Sequence, residues 1–313
     1  MRQKSFTPVI PYFMIKTYLN SYPLSIKQSW LVCFVLFIVS QLLASGLLMA
    51  LVSIIPGWDE THPLFMILAY SLSFLPVFAY VYLISKSEYQ QRERAGRPQP
   101  LWKAPQTGSL PLPWLLLLLG IALYALVIVV EPLVAWIPMP DSMKKLFETM
   151  INDSWGSVFT TVVLAALLEE WLMRGVALKG MLLKGYSPKS AIIWSALIFG
   201  IMHLNPWQAI PAFLLGCFFG WVYWRTRCLW LTIFLHAVNN GTSTLLTHLF
   251  PEMEIDTPIY QMLDTVQYAL LYALALVLGW AIFYYLYKKL PAGEQPSSPE
   301  PSKMATATPD TQI

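Results

Sequence analysis

The amino-acid sequence predicts an all-α fold, a polytopic membrane bundle of about eight transmembrane helices, and three observations carry that prediction. Hydrophobic residues make up 57% of the 313 and charged residues only 12%, about half the charge of an average soluble chain. The apolar residues fall in runs close to the ~20 needed to cross ~30 Å of hydrocarbon as helix. The 13 Trp and 16 Tyr gather at the ends of those runs, where amphipathic rings settle at a membrane–water interface. Lipid offers a bare backbone no hydrogen bonds, and the alternation of a β-barrel is absent, so the runs must be helices.

Taken in order, residues 1–29 form a cytoplasmic N-terminal segment mixing Lys with Phe13, Met14 and Tyr18. An interfacial helix and a loose tail both fit it. The first span, Trp30–Ile55, is too long for a signal-peptide core and has no small-residue cleavage site after it. Leu64–Ile84 is the second, followed by a basic, Pro-containing loop over 86–113. Trp114–Val134 and Trp155–Leu178 are the third and fourth. Ser190–Leu204 is short and close to Trp207–Trp224, which suggests a tight hairpin. Gly216 and Gly220 give that sixth span a small-residue packing stripe. Leu229–Leu249 and Val266–Tyr287 complete the membrane domain, 30–290. Residues 291–313 turn to Pro, Ser, Thr and Ala and read as a disordered cytoplasmic tail.

Basic residues orient the bundle. With the N-terminus in the cytoplasm, all 20 Lys and Arg fall on the inside except Lys144, Lys145 and the intraspan Arg174. That asymmetry is the positive-inside pattern and places both termini in the cytoplasm. The net charge of +3 is spread over these short loops and implies no nucleic-acid partner. The partners implied are membrane lipid and membrane-associated peptide. Cys33, Cys217 and Cys228 show no paired spacing, hence neither a disulfide framework nor a cysteine metal site.

Ionisable groups within a span cost at least ~2.5–3.5 kcal/mol each on insertion scales. Three neighbouring spans carry them nonetheless. The fourth holds Glu169, Glu170 and Arg174, the fifth His203, and the seventh His236 and Asn240. Helical positions four apart share a face, so Glu170 pairs with Arg174, Phe199 lies over His203, and His236 stands with Asn240. Glu169, rotated about 100° from Glu170, is left to face the histidines. One such residue alone would be a helix tie. Two carboxylates, two histidines and an asparagine on three close spans make a functional site.

The chemistry open to this set is hydrolysis. Glu169 suits the role of a base that activates water, with His203 helping to hold that water. His236 and Asn240 suit hydrogen bonding to a tetrahedral oxyanion. A zinc ion bound by Glu169, His203 and His236 is the second mechanism, as in His₂Glu hydrolase sites. Residue types and spacing leave both open.

Glu-Glu-x-x-x-Arg at 169–174, Phe-x-x-x-His at 199–203 and His-x-x-x-Asn at 236–240 together resemble the signature of the CAAX protease and bacteriocin-processing family. That family includes the type II CAAX prenyl endopeptidases. The resemblance covers roughly 155–250. It implies an intramembrane protease in which Glu169 activates water aided by His203, His236 and Asn240 stabilise the oxyanion or join a metal site, and Arg174 positions Glu170. The family's classification as metalloprotease implies a divalent metal, zinc, without requiring it. His-Glu-x-x-His, Gly-x-Gly-Asp and Gly-x-Ser-x-Gly, the marks of other intramembrane proteases, do not occur. The alternatives are a non-catalytic bacteriocin-immunity or scaffold protein on the same fold, and a transporter with a buried proton relay. The latter would show repeat symmetry, and none is visible.

Overall fold

A computed structural model describes residues 22–55, 62–97, 102–150, 154–250 and 257–293. Every element among them is helical. We number α1 Ile26–Val52, α2 Pro63–Arg94, α3 Leu112–Ala135, α4 Asp141–Met150, α5 Trp155–Leu183, α6 Pro188–Met202, α7 Pro206–Thr226, α8 Leu229–Leu249 and α9 Thr265–Lys289. A one-turn helix, Ile259–Met262, precedes α9. Helices thus stand at all eight predicted span positions. Five of them, α1, α2, α3, α5 and α9, are long and apolar enough to cross a membrane, as befits an integral membrane protein. α6 is apolar but short, and α7 and α8 are diluted by polar residues, so eight crossings is more than these criteria establish.

Three predicted boundaries move by four residues or more, among them the end of α5, at Leu183 rather than Leu178. α1 begins at Ile26 rather than Trp30, because Ser25 and Gln28 form a reciprocal capping box. The segment before it packs down instead of hanging loose. Tyr22 and Leu24 are buried, and the Leu24 amide donates to the Gly180 carbonyl at 2.8 Å. Residues 1–21 lie outside the described residues, as does the tail from 294. α2 runs ten residues past the expected Ile84, to Arg94. Its extension is rich in good helix formers and carries a Glu88–Arg92 pair one turn apart at 4.0 Å.

α5 is the most buried of the membrane-length helices and the axis of the fold. Glycines set how closely its neighbours approach. A Cβ on Gly156 would come within 1.8 Å of the Pro63 carbonyl oxygen, so α5 and α2 start side by side. In the predicted hairpin, added Cβ atoms on Gly216 and Gly220 would lie 3.1 Å from Ala196 and 3.2 Å from Ile192. The small-residue stripe therefore seats α7 against α6.

The helix ends sort into two sets. At one end Leu24 meets Gly180, the Gln106 amide donates to the Thr226 carbonyl, and Trp102 stacks on Tyr223 at 5.6 Å. There Arg225, buried, donates to the carbonyls of Tyr287, Leu290 and Pro291 and closes the C-terminus of α9. At the other end Trp207 donates to the Ile137 carbonyl at 3.0 Å, and Glu131 accepts from the Ile259 amide and the Tyr268 hydroxyl. The first set carries the basic residues counted above.

Candidate active site

Glu169 and Glu170 lie midway along α5, in a stretch of regular helix, Ala165–Glu170, set between two π-helical segments, Thr160–Leu164 and Trp171–Leu178. Wider turns of this kind re-aim side chains and concentrate at functional sites.

Glu170 is fully buried, and its Oε1 accepts from Arg174 Nη1 at 2.7 Å, the predicted pair. Arg174 Nη2 donates to the Gly216 carbonyl at 3.0 Å. Its guanidinium lies 5.1 Å and 5.4 Å from the ring centres of Phe199 and Phe219. Both charges are thus taken out of lipid together, enclosed by aromatic faces that themselves attract a cation.

His236 joins the two glutamates. Its Nδ1 is 3.1 Å from Glu170 Oε1 and its Nε2 3.8 Å from Glu169 Oε2. An ionised carboxylate only accepts, so Nδ1 carries the proton and Nε2 is turned to Glu169. Glu170 therefore has two tasks, balancing Arg174 and orienting His236. The sequence assigned it only the first. Phe199 and Phe219 pack against the imidazole at 5.8 Å and 6.0 Å between ring centres.

Glu169 is partly exposed, and its Oε1 accepts a hydrogen bond from the Tyr70 hydroxyl. Tyr70 comes from α2 and did not figure among the candidate residues. A signal for it existed: the phenol sits well inside an apolar run, where a hydroxyl must find a partner. Asn240 stands one turn beyond His236 on α8. Its Nδ2 donates to the Thr161 carbonyl at 2.9 Å and its Oδ1 accepts from Asn239 at 3.3 Å. One of its two N–H groups is used, and the other is left over.

His203 stands apart. It caps α6, with Nδ1 donating to the Phe199 carbonyl at 2.9 Å. It forms no ion pair with either glutamate and reaches the others only through Phe199, whose ring it meets edge-on at 5.1 Å. A zinc site from Glu169, His203 and His236 would need all three within ~2.0–2.2 Å of one ion. Among the described residues no three His, Cys, Asp or Glu side chains are arranged to hold a metal ion. This donor arrangement therefore does not fit the expected zinc.

Residues 151–242 match the family model described as type II CAAX prenyl endopeptidase, Rce1-like. The matched stretch holds every residue of the three motifs, from Glu169 to Asn240, in agreement with the resemblance read from them. No curated protein and no solved structure matches the chain.

Proposed function

We propose that the protein is an intramembrane endopeptidase that hydrolyses peptide bonds of membrane-associated substrates, hydrophobic or lipidated, with water activated by Glu169. The observation that carries this reading is the imidazole of His236 held between two carboxylates, 3.1 Å from one and 3.8 Å from the other. Glu170 is engaged with Arg174 and fixes the tautomer of His236. Glu169 and His236 Nε2 are then free to contact the same water.

In the first step Glu169 takes a proton from that water while the oxygen attacks the substrate carbonyl carbon. His236 Nε2 aligns the water. The leftover N–H of Asn240 faces the developing oxyanion, a donor role that mutagenesis elsewhere values at ~2.7–4 kcal/mol. As the C–N bond breaks, Glu169 returns its proton to the departing amine, and the site is restored. Tyr70 holds Glu169 in place and leaves its Oε2 turned toward His236. His203 acts through Phe199 at the edge of the site.

The test compares peptides of membranes containing wild-type protein with those containing Glu169→Gln, by mass spectrometry. New peptide termini that depend on Glu169 are expected, and they should persist after divalent metals are stripped. Identical peptide sets would favour a non-catalytic role. Cleavage abolished by stripping and restored by zinc would overturn the metal-free route.

A further inference from the structure

A cavity of about 700 Å³ lies on the far face of α7 from the glutamates. Gly216 and Phe219 turn one face of α7 to Arg174 and His236. Leu214, Cys217, Phe218, Trp221 and Trp224 line the cavity from the opposite face, at spacings of three and four that share a helix stripe. α3 and α9 form the outer wall. They approach so closely at Ala125 and Gly279 that a Cβ on the glycine would lie 3.1 Å from Ala125, and the space opens between them and the α6–α7 hairpin.

The shape is a slot with two unlike ends. From Trp224 to Leu214 it follows α7 inward for about 15 Å, at ~1.5 Å per residue. Its walls are apolar and include no acidic residue. At the rim, Pro188 and Lys189 begin α6 beside Trp224, at the end of the bundle that gathers the basic residues. Lys189 is exposed and has no acidic partner among the described residues. An apolar channel of this depth with one cation and a tryptophan at headgroup level matches an amphiphile with a long chain and an anionic head.

We propose that this slot holds one acyl chain of an anionic phospholipid, with the headgroup phosphate on the ammonium of Lys189. The inference is independent of the proposed hydrolysis. Lipid tails are as apolar as the slot, so the chain alone gives little preference over bulk lipid. Selectivity comes from the head, and one lysine near a membrane surface is worth about fivefold in affinity for an anionic lipid.

The experiment is native mass spectrometry of the full chain in detergent, offered equal amounts of phosphatidylglycerol and phosphatidylcholine with matched chains. One retained lipid is expected, with phosphatidylglycerol favoured about fivefold. Lys189→Gln should bring the two to parity, and Cys217→Trp, which fills the slot, should remove the adduct. Equal retention by wild type, or an adduct unchanged in Cys217→Trp, would overturn the proposal. Competition by inorganic phosphate alone would also overturn it, since a chain would then be unnecessary. Should Cys217→Trp fail to fold, quenching by phosphatidylglycerol with brominated chains decides: it must weaken in Trp221→Phe relative to wild type.

Discussion

At the scale of single residues, the two adjacent glutamates part company. Glu170 and Arg174 are both fully buried and compensate each other at 2.7 Å. Removing one partner of such a pair strands a charge and costs ~3–5 kcal/mol. Arg174→Ala should therefore collapse the yield of folded protein in detergent, measured by size exclusion and thermal unfolding. Glu169→Gln, at a partly exposed position, should purify normally and be inactive. Similar behaviour of the two variants would dissolve the division of roles. Tyr70 gives a finer test. A hydrogen bond to a charged group is worth ~1.5–3 kcal/mol, so Tyr70→Phe should lower kcat about tenfold to a hundredfold with KM little changed. A change in KM alone would make Tyr70 a substrate contact instead. Charged and amide residues of the site were legible because they interrupt apolar runs. Tyr70 was less so, since tyrosine is common near the ends of spans and only the α2–α5 packing shows that its hydroxyl meets Glu169. The His236–Glu170 bond was not legible. Helical spacing says which residues share a face, but not that one imidazole can touch both faces of α5 through its two nitrogens.

At the scale of elements, the helices were readable from run length and the connections less so. The start of α1 and the end of α2 depend on capping and on polar helix formers, which hydropathy ignores. The π-helical segments of α5 had no visible signal in local composition. Close approach is the other hidden quantity, and glycine is where it can be tested. Gly156→Ala would drive a methyl into the Pro63 carbonyl, 1.8 Å away, and α5 and α2 would have to separate. Overpacking of this kind costs ~1–3 kcal/mol, and the separation would also draw Tyr70 from Glu169. We expect lower thermal stability and lower activity together. Gly120→Ala on α3, with nothing within 4 Å, is the control. It should be neutral or gain up to ~1 kcal/mol from helix propensity. Equal melting temperatures for the two variants would show that the α5–α2 contact does not constrain the fold.

At the scale of the whole molecule, the question is from which side water reaches Glu169. Counted along the helices at ~1.5 Å per residue, His236 lies ~12 Å from Arg227 and Glu169 ~15 Å from Lys179, which suggests the cytoplasmic side, whereas His203 lies ~21 Å from Lys189, nearer the opposite face. The packing points the other way. Toward the basic end, α5 is sealed: Leu172, Met173, Leu178 and Met181 are wholly buried and Val176 is 3% exposed. Toward the other end Phe159 and Val163 are 42% and 46% exposed, and Asn239, Asn240 and His203 are only half-buried. α6 is also short, about 22 Å at ~1.5 Å per residue against ~30 Å of hydrocarbon. Its turn into α7 would therefore stop short of the far membrane surface, with His203 at the turn. We therefore expect water to enter from the end opposite the basic residues. In a background with the native cysteines replaced by serine, Lys184→Cys marks the basic end and Trp136→Cys the other. Asn239→Cys, near His236, should react with a membrane-impermeant maleimide in the same vesicle orientation as Trp136→Cys. Reaction alongside Lys184→Cys would mean that the packed half of α5 opens. If Lys184→Cys labels only in inside-out vesicles, the basic end is cytoplasmic, and the substrate must present its scissile bond from the opposite side of the membrane.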